Sequence, residues 1–213
     1  MKFVSIEGNI GSGKSTLLAK IREDHPDWYY VDEPVSRWLE TKQDGKNLLE
    51  LFYEDRPRWA YSFQTFALLT RLQAINDTYQ RALADGNPNA IILMERSLET
   101  DSNIFAKMLH DTKEMMDVEW TMYSEWNKEF NKLDKASKRA VIWVDTPVTI
   151  CAEGIQTRGR EGEDKIENAY LESLDKYHHE WLDNDKTIDI FRVNNWGPKD
   201  KQTTFQDALN FIY

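Results

Sequence analysis

Near the amino terminus, Gly8-Asn9-Ile10-Gly11-Ser12-Gly13-Lys14-Ser15 spells out G-x-x-x-x-G-K-[ST] in full. This run narrows the folds open to the chain more than any other feature, because its chemistry works only as a turn between a strand and a helix. Apolar residues 3–6 precede it and a helix-like stretch, 16–22, follows. The glycines let backbone N–H groups approach phosphate oxygens, and the helix N-terminus adds its positive dipole end. In that setting Lys14 reaches the β- and γ-phosphates of a triphosphate, and the Ser15 hydroxyl ligates Mg²⁺. A glycine-rich turn without a ligand is the bland alternative; the flanking strand and helix argue against it.

Further apolar runs at 28–31, 90–94, 141–144 and 188–193 read as buried parallel strands, with helical periodicity between them. Alternation of this kind predicts an α/β fold with a parallel sheet. Residues 57–84 place Trp59, Phe63, Phe66, Leu69 and Leu72 at three- and four-residue steps, and Asp85-Gly86-Asn87-Pro88 stops the helix. A second helical stretch is predicted over 113–138. No repeat or linker divides the chain, so residues 1–213 read as one domain.

Composition closes off several function classes. The formal net charge is -10, without the basic face that a nucleic-acid polymer demands. One cysteine, Cys151, excludes an internal disulfide framework. No apolar run approaches the ~20 residues of a membrane span. With no signal-peptide pattern at the start, a cytoplasmic location is the expectation.

Charged clusters follow the predicted strands, where ligands of open parallel sheets bind. Glu33 is a candidate acceptor for an alcohol proton, and Arg96 a clamp near the acceptor hydroxyl. Arg158 and Arg160 flank Gly159 and could close on phosphates from a mobile loop. Taken singly, each is more often a solvated surface charge; their common placement beside a phosphate loop favours function. Gln64 and Arg71 lie seven residues apart, so they share a helix face about 10.5 Å apart along the axis. Phe63 and Phe66 flank them, which suits a planar, hydrogen-bonding ligand such as a nucleobase. Alternatively, Gln64 caps a loop and Arg71 pairs with a nearby acid.

Taken in order and spacing, these residues resemble the deoxynucleoside kinases, most closely the deoxycytidine/deoxyguanosine kinase type. The match rests on Gly8 to Thr16, Glu33-Pro34-Val35 with Trp38, Tyr53, Arg58-Trp59, Phe63-Gln64, Glu95-Arg96-Ser97, Asp101, Phe105 and Arg158-Gly159-Arg160. The resemblance implies a P-loop kinase fold: a parallel five-stranded sheet flanked by helices, with a phosphate loop at 8–16 and an arginine-bearing lid at about 158–167. It implies ATP as donor, Mg²⁺ at Ser15 and Glu95, and transfer to the 5′-hydroxyl of a deoxynucleoside. Glu33 would act as general base beside Arg96. Tyr53 and Glu163 would hold the sugar 3′-hydroxyl and Gln64 the base edge. Phe63, Phe105, Trp38, Val35, Leu49 and Phe52 would wall the base site. Arg71 and Asp101 would sort substrates toward deoxycytidine and purine deoxynucleosides over thymidine. Relatives pair through two long helices, implying a homodimer through 57–84 and 113–138. One departure stands out: the family lid carries another arginine four residues before Arg158, where this chain has Gly154. Lys165 is the basic residue available to substitute.

Rival readings fit less well. Asn131-Lys132-Leu133-Asp134 matches the N-K-x-D signature of GTPases, but it falls inside a predicted helix and no D-x-x-G occurs. A nucleoside monophosphate kinase would need more cation than Arg37 near 31–38, and a non-enzymatic nucleotide binder would not need a full catalytic set. His178 and His179 are adjacent, so on a helix they diverge. Most of the tryptophans are expected in the core, with Trp38 as the exception.

Overall fold

A computed structural model describes residues 1–134, 139–193 and 201–213. Along the chain lie β1 (Lys2–Glu7), α1 (Lys14–Asp24), β2 (Tyr29–Val31), α2 (Val35–Glu40), β3 (Lys42–Gln43), β4 (Lys46–Asn47), α3 (Leu48–Glu54) and α4 (Arg56–Ala84). They are followed by β5 (Ile91–Glu95), α5 (Leu98–Thr100), a π-helical turn (Asp101–Ala106), α6 (Lys107–Asp111), α7 (Asp117–Leu133) and β6 (Arg139–Val144). The last part holds α8 (Val148–Arg158), a 3₁₀ turn (Glu163–Lys165), α9 (Asn168–Leu182), β7 (Asp189–Val193) and α10 (Lys201–Ile212).

The five predicted apolar runs are the five strands of one sheet, in the order β2-β5-β1-β6-β7, each neighbouring pair parallel. Both faces of a parallel sheet are covered by helices, hence continuous apolar runs instead of alternation. On one face Val4 and Ile6 pack with Leu17, Leu18 and Ile21 of α1 and Leu209 of α10. On the other, Phe3 joins a core with Ile75 of α4 and Leu174 and Trp181 of α9. The small antiparallel pair β3–β4 lies apart from this sheet.

Helix α4 begins where Asp55 accepts from the Arg58 amide at 3.2 Å, with proline in its first turn. The second predicted long helix starts later than the apolar pattern suggested. Lys113 adopts φ 65, a left-handed turn that a helix cannot continue through, so α6 stops at Asp111 and α7 opens at Asp117. Residues 135–138, the predicted end of that helix, lie outside the described residues. Tryptophans 143, 181 and 38 are buried, whereas Trp126 on α7 is 48% exposed, contrary to the expected core position.

Candidate active site

Because the strands are parallel, the residues after β1, β2 and β5 converge on one edge of the sheet. After β1 the chain wraps into the loop from Gly8 to Gly13, and Gly13 opens α1 with φ 94. Lys14 folds back, its Nζ donating to the Asn9 carbonyl at 2.6 Å. The Asn9 side chain is itself fixed, donating to Leu171 O on α9 at 2.9 Å and accepting from the Ile10 amide at 2.8 Å. Burial, with Arg96 adding repulsion, lowers the Lys14 ammonium to about 7. A buried cation of this kind is poised for an anionic ligand that restores its charge.

Arg96 follows β5 with φ 64, a left-handed backbone uncommon for a residue with a side chain. Its amide still bonds to Ile6 O at 3.0 Å. This turn lets the guanidinium meet Glu33 at 2.6 Å and lie 4.9 Å from the centre of the Phe105 ring. Glu33 Oε1 also accepts from Arg71 at 3.1 Å, and Arg71 grips Asp101 through two N–H groups at 2.8 and 3.2 Å. A fourth donor of Arg71 reaches Glu95 O at 3.0 Å. The result is a buried chain Arg96–Glu33–Arg71–Asp101. Burial pushes the Glu33 carboxyl up, but Arg96, Arg71 and Lys14 together hold it well below the usual carboxylate range. Burial likewise opposes the Arg71 charge, and Asp101 and Glu33 more than offset it. Ser15 Oγ donates to Glu95 Oε1 at 2.8 Å, placing two hard oxygen ligands side by side under the phosphate loop.

Lys14, Glu33, Arg71, Glu95, Arg96 and Asp101 line one cleft of about 540 Å³ with Trp38, Leu49, Tyr53, Phe63, Gln64, Phe105 and Glu163. Five basic side chains (Lys14, Arg71, Arg96, Arg158, Arg160) meet four carboxylates (Glu33, Glu95, Asp101, Glu163) there, a near balance of charge in a chain whose formal net charge is -10. Val35 and Phe52 do not line it. Both are buried, and the Phe52 ring backs Phe63 at 4.7 Å, so Phe52 supports the wall without forming it. Ala67 does line the cleft and was missed by sequence reasoning. It shares the face of Phe63, Gln64 and Arg71 on α4, so periodicity could have found it; a small apolar residue carries no chemical signal.

A second groove runs along the other side of the phosphate loop. Gly11 to Thr16 form one wall, and Ile150, Glu153, Gly154, Thr157 and Arg158 of α8 the other. Arg158 borders both grooves, whereas Arg160 borders only the first of them. Arg158 ends α8 instead of sitting in a loop, and Glu163 collects it at 2.6 Å and Arg160 at 2.9 Å. Lys165 does not replace the lid arginine absent at Gly154: it pairs with Glu54 on the exterior of α3. Asn131 to Leu133 sit in the last turn of α7 and Asp134 caps it, so the N-K-x-D run follows no strand. His178 is buried against Leu174 O while His179 pairs with Asp183.

A phosphate loop after the central strand of this sheet, with basic residues gathered at the same edge, defines the class: a P-loop kinase fold. The profile of the family described as deoxynucleoside kinase matches residues 4–210. Deoxycytidine kinase 1 of Xenopus laevis is 34% identical over 197 residues, covering 85% of this chain and 74% of the relative. Human deoxycytidine kinase is 34% identical, with 85% and 75% covered. The mitochondrial deoxyguanosine kinase of Xenopus laevis is 30% identical, with 99% and 87% covered. The chain belongs to the deoxynucleoside kinase family, a family of ATP-dependent phosphotransferases.

Proposed function

We propose that this enzyme transfers the γ-phosphate of ATP to the 5′-hydroxyl of a deoxynucleoside, favouring deoxycytidine and the purine deoxynucleosides over thymidine. The observation that carries this reading is the buried chain Arg96–Glu33–Arg71–Asp101, which links the phosphate loop to an aromatic slot. Phosphoryl transfer asks a protein mainly for positioning and charge. Lys14 and Arg158 would neutralise the transferring group, Arg96 would steady the acceptor oxygen, and Glu33 would take its proton. Tyr53 and Glu163 would hold the sugar, and Gln64 the base edge between Phe63, Phe105 and Trp38. Arg71, fixed by Asp101, sets a charged group where the 5-methyl of thymine would need an apolar one. The Ser15 hydroxyl and Glu95 carboxylate suit Mg²⁺, a hard cation that takes oxygen ligands; when bound it would neutralise phosphate charge.

The whole chain would act as one domain, its lid at 158–167 closing over loop 8–16. A homodimer through α4 and α7 fits the family resemblance, and a single cysteine fits a cytoplasmic setting. Values of kcat/KM for deoxycytidine, deoxyadenosine, deoxyguanosine and thymidine with ATP test the reading. Thymidine as the best substrate would sink the base assignment while leaving the family untouched.

A further inference from the structure

On the outer side of the phosphate loop, Gly11 lies directly against the backbone of α8. A Cβ built on Gly154 would stand 2.5 Å from the Gly11 carbonyl oxygen, and one built on Gly11 would run into the Cys151 carbonyl. Even a tight 3.0 Å contact would need a shift of roughly half an ångström, and close-packed backbone yields poorly. One side chain ties the same seam, Thr146 Oγ1 donating to Ser12 O at 3.1 Å, and Thr146 is itself held to α8 by Cys151 Sγ, which donates to Thr146 O at 3.4 Å. One helical turn beyond Gly154, α8 ends at Arg158, which borders the same groove as Lys14 and Ser15.

We propose that Gly154 is a positioning residue for the phosphate donor: by admitting direct backbone contact with Gly11, it sets the spacing between the phosphate loop and Arg158. This rests on the reading that residues 8–16 hold the donor phosphates. Two physical effects predict opposite outcomes at this position. Gly154 borders a groove that holds Lys14 and Arg158, so electrostatics alone would make an added arginine favourable to a triphosphate. Sterics make any side chain unfavourable, because the loop or the helix must move, and misplacement by an ångström costs up to about a hundredfold in rate. The packing contact is backbone against backbone, with no flexible side chain to yield, so sterics prevail.

Gly154→Ala and Gly154→Arg, assayed for ATP kinetics, nucleoside binding and thermal stability, separate the two. We expect kcat/KM for ATP to fall about tenfold in Gly154→Ala and further in Gly154→Arg, with nucleoside Kd within about twofold of the parent. Thr146→Val removes a tether from the same seam without adding volume. It should give the same donor-selective defect at smaller size, and it serves if the position-154 variants do not fold. Parental ATP kinetics in Gly154→Ala, tighter ATP use in Gly154→Arg, or equal losses toward ATP and nucleoside would overturn the proposal. If neither Gly154 variant folds, parental ATP kinetics in Thr146→Val would overturn it too. Lys14→Ala provides the separate check: if it keeps the parental ATP-dependent rate, the donor reading of loop 8–16 fails whatever Gly154 does.

Discussion

Burial by itself would make Glu33 a weak acid, yet Arg96, Arg71 and Lys14 around it keep the carboxyl ionised far below neutral pH. So strongly held a carboxylate is a poor base before substrate arrives; in the proposed reaction it would take the hydroxyl proton as the oxygen–phosphorus bond forms. Glu33→Gln should lower kcat by about 10²–10⁴-fold with nucleoside Kd nearly unchanged; kinetics within threefold of the parent would remove Glu33 from that role. Lys14 is displaced in the same direction, which for an ammonium disfavours the charge. Burial and Arg96 lower it to about 7, so at pH 8 the free enzyme holds it mostly neutral. Triphosphate charge favours the ammonium and raises the pKa, so binding should take up a proton. The uptake should fade below pH 7, where Lys14 is already charged. Calorimetry of ATP binding at pH 8 in two buffers of different ionisation enthalpy reads this directly. Identical heats in both buffers would contradict it, and Lys14→Ala should lose the buffer dependence.

Helix α4 and the π-helical turn together line one part of the cleft. Three successive turns of α4 present Phe63 and Gln64, then Ala67, then Arg71 to the cleft, and the turn contributes Asp101 and Phe105. Single π-turns are uncommon and recur at functional sites. The two elements are joined by the Arg71–Asp101 pair, in which both side chains are almost fully buried. Removing Asp101 leaves the buried Arg71 charge with only the Glu33 carboxylate, which it shares with Arg96. Asp101→Ala should therefore cost about 3–5 kcal/mol in urea unfolding. The combined Arg71→Met, Asp101→Ala variant should be more stable than Asp101→Ala alone and should shift kcat/KM toward thymidine, since both charges leave. A double variant no more stable than the single one, with unchanged substrate ranking, would mean that the pair neither couples the elements nor sorts bases.

At the scale of the molecule, several of the exposed large apolar side chains among the described residues gather on α7, which packs against α4. Val118, Met122 and Trp126, spaced four residues apart, form one exposed stripe with Met116 near its start. A stripe of this kind on an otherwise strongly acidic chain suits a self-complementary contact. Trp126→Glu should convert a dimer into a monomer in sedimentation with the fold intact by circular dichroism; a parent that sediments as a monomer would contradict the dimer. The α/β class, the five strands and the phosphate loop were legible from local pattern alone, because apolar runs, helical period and glycine spacing act over a few residues. Gln64 and Arg71 were legible as sharing a face for the same reason. Tertiary structure decided what a single segment does not encode: that Arg71 has Asp101 and Glu33 as partners, that Phe52 stands behind the cleft wall, that Ala67 lines it, that Lys165 turns outward to Glu54, and that a Cβ on Gly154 would meet the Gly11 carbonyl. Each depends on which distant backbone comes close, and that is settled only when the parallel sheet brings its strand ends to one edge.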